Sequence, residues 1–436
     1  MTRRAWWLVV LNILLPGSAQ VLAGSRGLGR FGLRASLSLV LLLVLTGALY
    51  KVNPELVLSV ATNTIGLWAL AAVMLFYSLL WVILTFDTLR LARLVRIRPK
   101  ARPYIAGLAT IVMIVVAGSS GYGAYVATTA SGVLSTMFIT APSEPPVDGR
   151  YNILLLGGDS GPDRDGMRPD SMSVVSIDAE TGQAVIIGLP RDLTLVPFPE
   201  DSPLNAAYPN GYGYEDFCDV TACMLNAIYT EVDQKSPEMY PNAVAGGSEP
   251  GIEGMRDAAR GITGLTGLTI QYYALIDMQG FSDLIDALGG VDINVAERLP
   301  IGGKEDLSDV EGWVEPGQQH MDGFTALWYG RARHGSSDYD RMARQRILQQ
   351  AILTQFTPAN VLTKFQGIAA AGQQVVKTDI PQGALGYFTN LAGKTKALPM
   401  STVELVPDNG VDPTDPDYDY IRGLIAAALA PPPAAE

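Results

Sequence analysis

The chain has 436 residues but only two cysteines and two histidines, and this scarcity excludes several kinds of site. Cys218 and Cys223 are too few for a zinc site with cysteine ligands, and His320 and His334 are the only imidazoles. The sequence also lacks a Gly-x-Ser-x-Gly elbow and a phosphate-binding P-loop. Covalent hydrolase and nucleotide-cradling mechanisms therefore have no support.

Acidic residues are scarce in the first 103 positions, where Glu55 and Asp87 stand against 12 Lys and Arg. The rest of the chain has the opposite balance, with 19 basic and 41 acidic residues. The net charge of -12 therefore combines a basic first part with a strongly acidic remainder. An acidic domain without long basic tracts argues against nucleic acid as a partner, because phosphate contacts dominate that kind of binding.

Long apolar runs are present only in the first third of the chain. They lie at about residues 31–50, 64–86 and 104–126. A helix of about 20 residues crosses a bilayer, and these runs carry almost no charge on any face. A weaker segment at 6–24 is interrupted by Pro16-Gly17, which predicts a re-entrant or interfacial hairpin. We therefore predict a membrane anchor over residues 1–127.

Basic residues flank these runs unevenly, which predicts their orientation. Five arginines precede the first clear run and six Lys or Arg separate the second from the third, whereas the loop at 51–63 has only Lys51. Placing both basic clusters in the cytoplasm requires three crossings and puts everything after Val126 outside it. Residues 128–149, which are small, polar and proline-containing, are predicted to be a linker.

The two cysteines lie in the part of the chain that this topology places outside the cytoplasm. In an oxidising compartment Cys218 and Cys223 are expected to close a small loop as a disulfide. In a reducing compartment they would be two buried thiols.

From Tyr151 onward the sequence mixes strand and helix patterns. The run Tyr151–Gly157 is short, continuously apolar and ends at glycine, which is typical of a strand buried on both faces. Two further β-rich runs flank a hairpin connection at 178–183. More strands are predicted at 271–276 and 291–295, and helices at 280–288, 322–329 and 341–356. This mixture predicts a three-layer α/β/α domain with a mixed central sheet over residues 150–430.

Two carboxylates flank the connection between the first two predicted strands. Asp159 directly follows a buried strand, and Asp170 precedes the next one. In open α/β sheets the carboxyl ends of strands form the ligand crevice. Two carboxylates there could hold a hard cation such as Mg²⁺ and leave positions for water and substrate phosphates. The alternative is that loops favour Asp for its local backbone hydrogen bonds.

Arginines cluster late in this otherwise acidic domain. Five of them lie within residues 331–346, which contain no lysine. The planar guanidinium group of arginine binds two phosphate oxygens at once. A cluster made only of arginines therefore indicates specific binding of a pyrophosphate more than diffuse attraction of anions. The alternative is a solvated helix face paired with Asp338 and Asp340. Both interpretations remain open at this point.

A further arginine, Arg191, follows the third predicted strand in the sequence Leu-Pro-Arg-Asp. It would emerge at the end of the sheet, where it could join a phosphate-binding cluster. Its alternative role is a surface salt bridge with Asp192 or Asp201.

Taken together and in order, six segments resemble the LytR-CpsA-Psr family of cell-wall enzymes. They are NILLLGGDS, RPDSM, GLPRD, LNAAY, FSDLIDALGGVDINV and ALWYGRARHGSSDYDRMARQ, within about residues 150–355. Members of this family have an N-terminal membrane anchor and an outward-facing α/β/α domain that binds a polyprenyl-pyrophosphate-linked glycopolymer. They transfer the phosphoglycan to the C6 hydroxyl of N-acetylmuramic acid in peptidoglycan. One departure is Pro203, where many members have lysine.

The resemblance implies specific roles for the polar residues. Asp159 and Asp170 would hold Mg²⁺ or Mn²⁺, and one of them, in preference to Asp338, would act as the base. Arg331 would contribute directly to catalysis. The pyrophosphate oxygens would be bound by Arg168, Arg191, Arg331, Arg333, Arg341 and Gln345. Rival functions are a polyprenyl-pyrophosphate pyrophosphatase, a protein-glycosylating transferase and a non-catalytic lipid-binding regulator.

Overall fold

The structure is a computed structural model, and the chain in it divides into two compact units, Met1–Leu134 and Ser135–Glu436. It describes residues 2–159, 167–213, 218, 220, 222–264, 268–304, 306–332, 337–355 and 376–430.

The first unit consists of helices. They are α1 (Thr2–Leu14), α2 (Ser18–Ala23), α3 (Arg26–Val52), α4 (Pro54–Ala61), α5 (Thr64–Ala92) and α6 (Arg102–Met137). Among the residues that the structure describes, three helical segments are long and apolar enough to cross a membrane, and they contain the three apolar runs of the sequence: Arg26–Val52, Thr64–Arg96 and Pro99–Met137. The helical path breaks between α1 and α2, where Gly17 has a φ of 99° that favours glycine.

The last of these helices extends further than the sequence suggested. Helix α6 continues through Thr128 to Met137, so the first part of the predicted linker 128–149 is helical. Residues 128–137 contain no proline, so the helix that begins in the apolar run continues through them. The first proline of the stretch, Pro142, lies beyond the helix end.

The second unit is built on a six-stranded mixed sheet in the order β10-β3-β2-β1-β4-β9. Its strands are β1 (Arg150–Asp159), β2 (Arg168–Asp178), β3 (Ala184–Gly188), β4 (Tyr272–Asp277), β9 (Val376–Thr378) and β10 (Ser401–Glu404). Strand β1 runs antiparallel to β2 and parallel to β4, and the predicted hairpin joins β2 to β3. Strand β10 pairs with β3 in parallel.

Helices surround this sheet. Those of the second unit are α7 (Pro203–Ala207), α8 (Ile228–Thr230, continued by a π-helical turn Glu231–Lys235), α9 (Pro250–Thr263), α10 (Met278–Leu288), α11 (Gly323–Arg331), α12 (Asp338–Gln355), α13 (Leu385–Lys396) and α14 (Tyr418–Leu429). Carboxylates cap several of them, as when Asp322 accepts from the Thr325 amide at 2.8 Å at the start of α11. Pro203, the departure from the family pattern, is the first residue of α7.

Both faces of the sheet are covered by helices. On one face a register row of apolar side chains packs against α8, α9 and α14. Its members are Val403, Ile187, Val174, Leu154 and Tyr273. On the other face Tyr151 and Tyr272 pack against Phe388 and Leu391 of α13. The predicted three-layer α/β/α arrangement with a mixed sheet is confirmed.

In the described part of the chain, four strands lie outside the central sheet. They are β5 (Val291–Val295), β6 (Leu299–Gly302), β7 (Val310–Val314) and β8 (Gly317–Met321), which form two antiparallel pairs, β5 with β8 and β6 with β7. Their inward side chains share a second apolar core with α10, α11 and α12, centred on Ile285, Tyr329 and Leu348. This core fixes α11 against α12.

Candidate functional site

The pairing of β1 with β2 is irregular near the connection between the two strands. Gly157 pairs with Ser171 and Gly158 with Pro169, so Asp170 is the extra residue of a β-bulge between these two pairs. Bulges of this kind redirect a side chain and are frequent beside functional sites. A Cβ at Gly158 would lie 2.5 Å from the Met167 sulfur, so glycine permits this close approach.

Two predicted residues lie at the open end of this ladder. Asp159 and Arg168 are register partners where β1 ends and β2 begins. Asp159 is described by its backbone only, so the metal and base roles predicted for its carboxylate lie outside the described part of the structure. Arg333 is likewise outside the described residues.

Arg191 joins two carboxylates from distant parts of the chain. Its Nη1 donates to Asp170 Oδ1 at 2.9 Å, and its Nε donates to Asp338 Oδ2 at 2.8 Å. The alternative surface pairing with Asp192 or Asp201 is wrong. Asp201 pairs instead with an arginine of α9, and Asp192 accepts a hydrogen bond from the Tyr339 hydroxyl.

Arg341 extends this arrangement into α12. Its side chain is only 2% exposed, and its Nη1 lies 3.3 Å from Asp338 Oδ1. Asp170, Arg191, Asp338 and Arg341 therefore form one connected group of two acids and two bases, here called the Asp–Arg network. It brings together the start of β2, the segment after β3 and the first turn of α12.

Electrostatics hold Arg191 in its charged form. Burial alone would lower the pKa of Arg191, but the hydrogen bonds and charges of Asp170 and Asp338 outweigh burial and raise that pKa. Beside the network, burial followed by the negative charge of Asp192 raises the pKa of Tyr339 to about 12. Tyr339 therefore remains a neutral hydroxyl at physiological pH.

Arg331 and Gln345 lie where α11 meets α12. Gln345 donates from Nε2 to the Gly330 carbonyl at 3.1 Å, which ties α12 to the last turn of α11. Arg331 is the final residue of α11 and is exposed. Its guanidinium carbon lies 5.3 Å from the centre of the Trp328 ring, a cation–π contact.

Two of the clustered arginines support the fold instead of facing a ligand. Arg344 donates from Nε to the Tyr329 carbonyl at 3.1 Å, at the end of α11. Arg346 is 3% exposed, donates to the Met172 carbonyl at 3.2 Å and lies 3.4 Å from Glu404. Burial lowers the pKa of Arg346 and raises the pKa of Glu404. These two members of the arginine cluster therefore serve the scaffold.

The donor set at this site is compatible with magnesium. Among the described residues no group of three His, Cys, Asp or Glu side chains could hold a metal ion by itself. Mg²⁺ does not need such a group, because it is commonly bound by one or two carboxylates together with water and substrate phosphates. Asp170 supplies a hard oxygen donor beside the guanidinium of Arg191. A metal here would be shared between the protein and a phosphorylated ligand.

Cys218 and Cys223 are joined by a disulfide, with their Cα atoms 5.8 Å apart. Both cysteines pack against the main apolar core, and the bridge closes a short loop before α8.

Removing this bridge is expected to lower stability moderately. Closing so short a loop contributes about 2 kcal/mol in the chain-entropy account, which for a unit of this size corresponds to a melting temperature about 3 °C higher. The double variant Cys218→Ser/Cys223→Ser should therefore melt about 3 °C below the wild type in a thermal unfolding experiment. The wild type treated with reductant should have the same melting temperature as the double variant. An unchanged melting temperature in both cases would show that the bridge carries no stability.

A sequence model of the LytR_cpsA_psr family matches residues 123–418, which include every member of the Asp–Arg network. The chain belongs to this family. The family predicted from the sequence motifs is thereby confirmed.

Two relatives of this LytR-CpsA-Psr protein illustrate the range of the match. The cell wall biosynthesis protein LcpA of Corynebacterium glutamicum is 26% identical over 304 residues, which are 65% of this chain and 56% of LcpA. The polyisoprenyl-teichoic acid–peptidoglycan teichoic acid transferase TagU of Oceanobacillus iheyensis is 28% identical over 58% of this chain and 66% of TagU. This chain thus covers less than two thirds of either relative.

Among solved structures, the crystal structure of Bacillus subtilis TagV is similar with a TM-score of 0.45 and 20% sequence identity. The match covers 65% of this chain and 98% of TagV.

The sequence did not reveal the roles of two residues at this site, Asp338 and Trp328. The sequence suggested Asp338 as the partner of a solvated helix face or as a disfavoured base, yet Asp338 bridges Arg191 and Arg341. Its place in the Ser-Asp-x-x-Arg block was the available signal. Trp328, which lies under Arg331, carried no signal beyond being three residues before it.

Proposed function

We propose that this protein transfers a phosphorylated glycopolymer from a polyprenyl-pyrophosphate carrier to the C6 hydroxyl of N-acetylmuramic acid in peptidoglycan. The observation that carries the proposal is the Asp–Arg network, which gathers guanidinium and carboxylate groups beside the β1–β2 bulge. Family membership and the name of TagU, a teichoic acid transferase, support the same reaction class.

Phosphoryl transfer depends mainly on positioning and on stabilising charge, which this set of residues can supply. Arg191, Arg331 and Arg341 bind the pyrophosphate oxygens. The sugar oxygen forms a bond to the phosphorus that carries the glycan, and the bond from that phosphorus to polyprenyl phosphate breaks. The guanidinium groups stabilise the leaving polyprenyl phosphate.

A carboxylate accepts the proton of the incoming hydroxyl. Asp159 or Asp170 takes this role in preference to Asp338, because Asp338 is already bound by two guanidinium groups. Asp159 and Asp170 would also hold Mg²⁺, which when bound neutralises developing charge on the phosphate oxygens. The three apolar helices anchor the protein in the membrane with the second unit on its outer side.

The test uses the full-length protein in detergent with a polyprenyl-pyrophosphate glycan, peptidoglycan fragments and Mg²⁺, followed by mass spectrometry. A glycan joined to muramic acid through a phosphodiester is the expected product. Glycan phosphate or inorganic phosphate with unmodified peptidoglycan would indicate a pyrophosphatase, and glycan on a protein side chain would indicate a protein-glycosylating enzyme. Binding of the carrier without turnover, with or without Mg²⁺, would indicate a regulator.

Replacing Arg331 should separate catalysis from folding. Arg331 is exposed at the end of α11, so Arg331→Ala is expected to leave the melting temperature nearly unchanged. Loss of one donor to the transition-state charge should reduce the transfer rate by about 10²-fold. Rate and thermal unfolding are measured on the same preparation. An unfolded Arg331→Ala protein would make this arginine structural.

Trp328 is expected to position Arg331 without taking part in the reaction itself. An exposed cation–π contact is worth about 0.5–1 kcal/mol, so Trp328→Ala should raise KM for the donor two- to about fivefold while kcat changes less. Trp328→Phe should restore most of the loss because it keeps an aromatic face. Phe324→Ala is the matched control, since Phe324 touches Trp328 at 6.3 Å between ring centres. Equal effects of Phe324→Ala and Trp328→Ala would contradict the positioning role.

A further inference from the structure

A groove opens at the N-terminal end of the first unit, and none of the residues that line it is used in the proposed reaction. Its volume is about 630 Å³. It is lined by Thr2, Arg3, Trp6, Trp7, Val10 and Arg98. Two arginines, two indole rings and no acid therefore share one concave surface.

The two arginines have no anion of their own. Glu55 and Asp87 are the only acids in the first 103 residues, and Asp87 lies 3.9 Å from Arg90. Within the described part of the chain, neither the Arg3 nor the Arg98 side chain forms an ion pair, and both are exposed. The groove therefore presents two unneutralised guanidinium groups, which favour an anionic ligand.

The groove is held in shape by its surroundings. The turn that carries Arg98 is fixed by Arg102, which donates to the Ile97 carbonyl at 3.0 Å. Ile97 itself is 2% exposed and packs with Ala5 and other residues of α1 in a small apolar cluster. The Arg98 amide also donates to Thr2 Oγ1 at 3.4 Å. These contacts hold the backbone at Arg98 beside the first turn of α1, which carries Arg3.

We propose that this groove binds the phosphate headgroup of an anionic phospholipid, with Arg3 and Arg98 on the phosphate and Trp6 and Trp7 at the level of the glycerol backbone. Indole rings favour the boundary between headgroups and acyl chains, and basic pockets among membrane helices recognise anionic headgroups. Trp7 is 57% exposed, as an indole facing lipid would be. The site is independent of the transfer reaction and lies on the side of the anchor predicted to face the cytoplasm.

The experiment is native mass spectrometry of the full-length protein in detergent with equal amounts of phosphatidylglycerol and phosphatidylcholine. The wild type should retain one phosphatidylglycerol in preference to phosphatidylcholine. Arg3→Gln/Arg98→Gln should weaken that retention on the order of 20-fold, since each surface cation contributes about 1 kcal/mol to anionic lipid binding. The matched control Arg26→Gln/Arg96→Gln removes the same charge from the same basic clusters and should retain the lipid.

Two results would overturn the proposal. Equal loss in both double variants would mean that diffuse charge, not the groove, attracts the lipid. Displacement of phosphatidylglycerol by an equal concentration of glycerol phosphate would mean that the groove takes a soluble phosphate instead of a lipid. Trp7→Ala, which keeps both arginines, provides a second check and should weaken lipid retention without changing the response to glycerol phosphate.

Discussion

Arg191→Ala is expected to abolish measurable glycopolymer transfer while leaving a folded protein. Arg191 is the member of the Asp–Arg network that contacts both carboxylates, so its loss removes the cation that joins Asp170 to Asp338. Removing a preorganised donor from the transition-state charge costs about 10²–10³ in rate, and loss of the carboxylate geometry adds to this. The rate is measured by mass spectrometry of the peptidoglycan product.

The stability cost of the same change should be smaller. The side chains of Arg191, Asp170 and Asp338 are 22–28% exposed, so solvent screens the charges of the two acids and we expect a loss of about 1–2 kcal/mol. Arg298→Ala is the control, because Arg298 is also paired with a carboxylate, that of Glu315, but lies outside the network. Transfer by Arg191→Ala at more than a tenth of the wild-type rate would remove the network from the catalytic site.

Local features of the fold were predictable because they depend on short stretches of sequence. Two β-rich runs located β2 and β3, and the turn residues at 178–183 located their connection. The order of the strands was not predictable in this way. Strand β10 pairs with β3 from more than 200 residues away, and β9 has only three residues, too few for a periodic pattern.

The sequence predicted that arginines would cluster at the candidate site. It did not predict which of these arginines form the Asp–Arg network and which support the fold. The bidentate chemistry of arginine identified the cluster, and Arg341 and Arg191 do come together around Asp338. Arg346 belongs to the same sequence block, yet its guanidinium is buried against the Met172 carbonyl of β2. Which arginine faces a ligand depends on how α12 packs on the sheet, and that packing joins residues 174 positions apart.

Asp379→Ala is expected to destabilise the second unit by about 3 kcal/mol, because it breaks a buried ion pair by removing one partner. Asp379 accepts hydrogen bonds from the Arg256 guanidinium and, at 2.8 Å, from the Tyr273 amide. Burial alone would lower the pKa of Arg256, but the charges of Asp379 and Glu253 outweigh burial and raise it. The loss is measured as a shift of the urea unfolding midpoint for the protein in detergent.

A double-variant cycle separates the ion pair from the backbone contact. Asp379→Asn keeps an acceptor for the Tyr273 amide, so it should lose less stability than Asp379→Ala. Adding Arg256→Met to Asp379→Ala removes the buried cation that has lost its closest partner, and the double variant should recover part of the loss. Asp379 follows edge strand β9, and Arg256 lies on α9. Such recovery would therefore show that the buried charge of Arg256, and not the packing of the sheet edge, determines the loss of stability. Strict additivity of the two single losses would instead mean that the two side chains act independently.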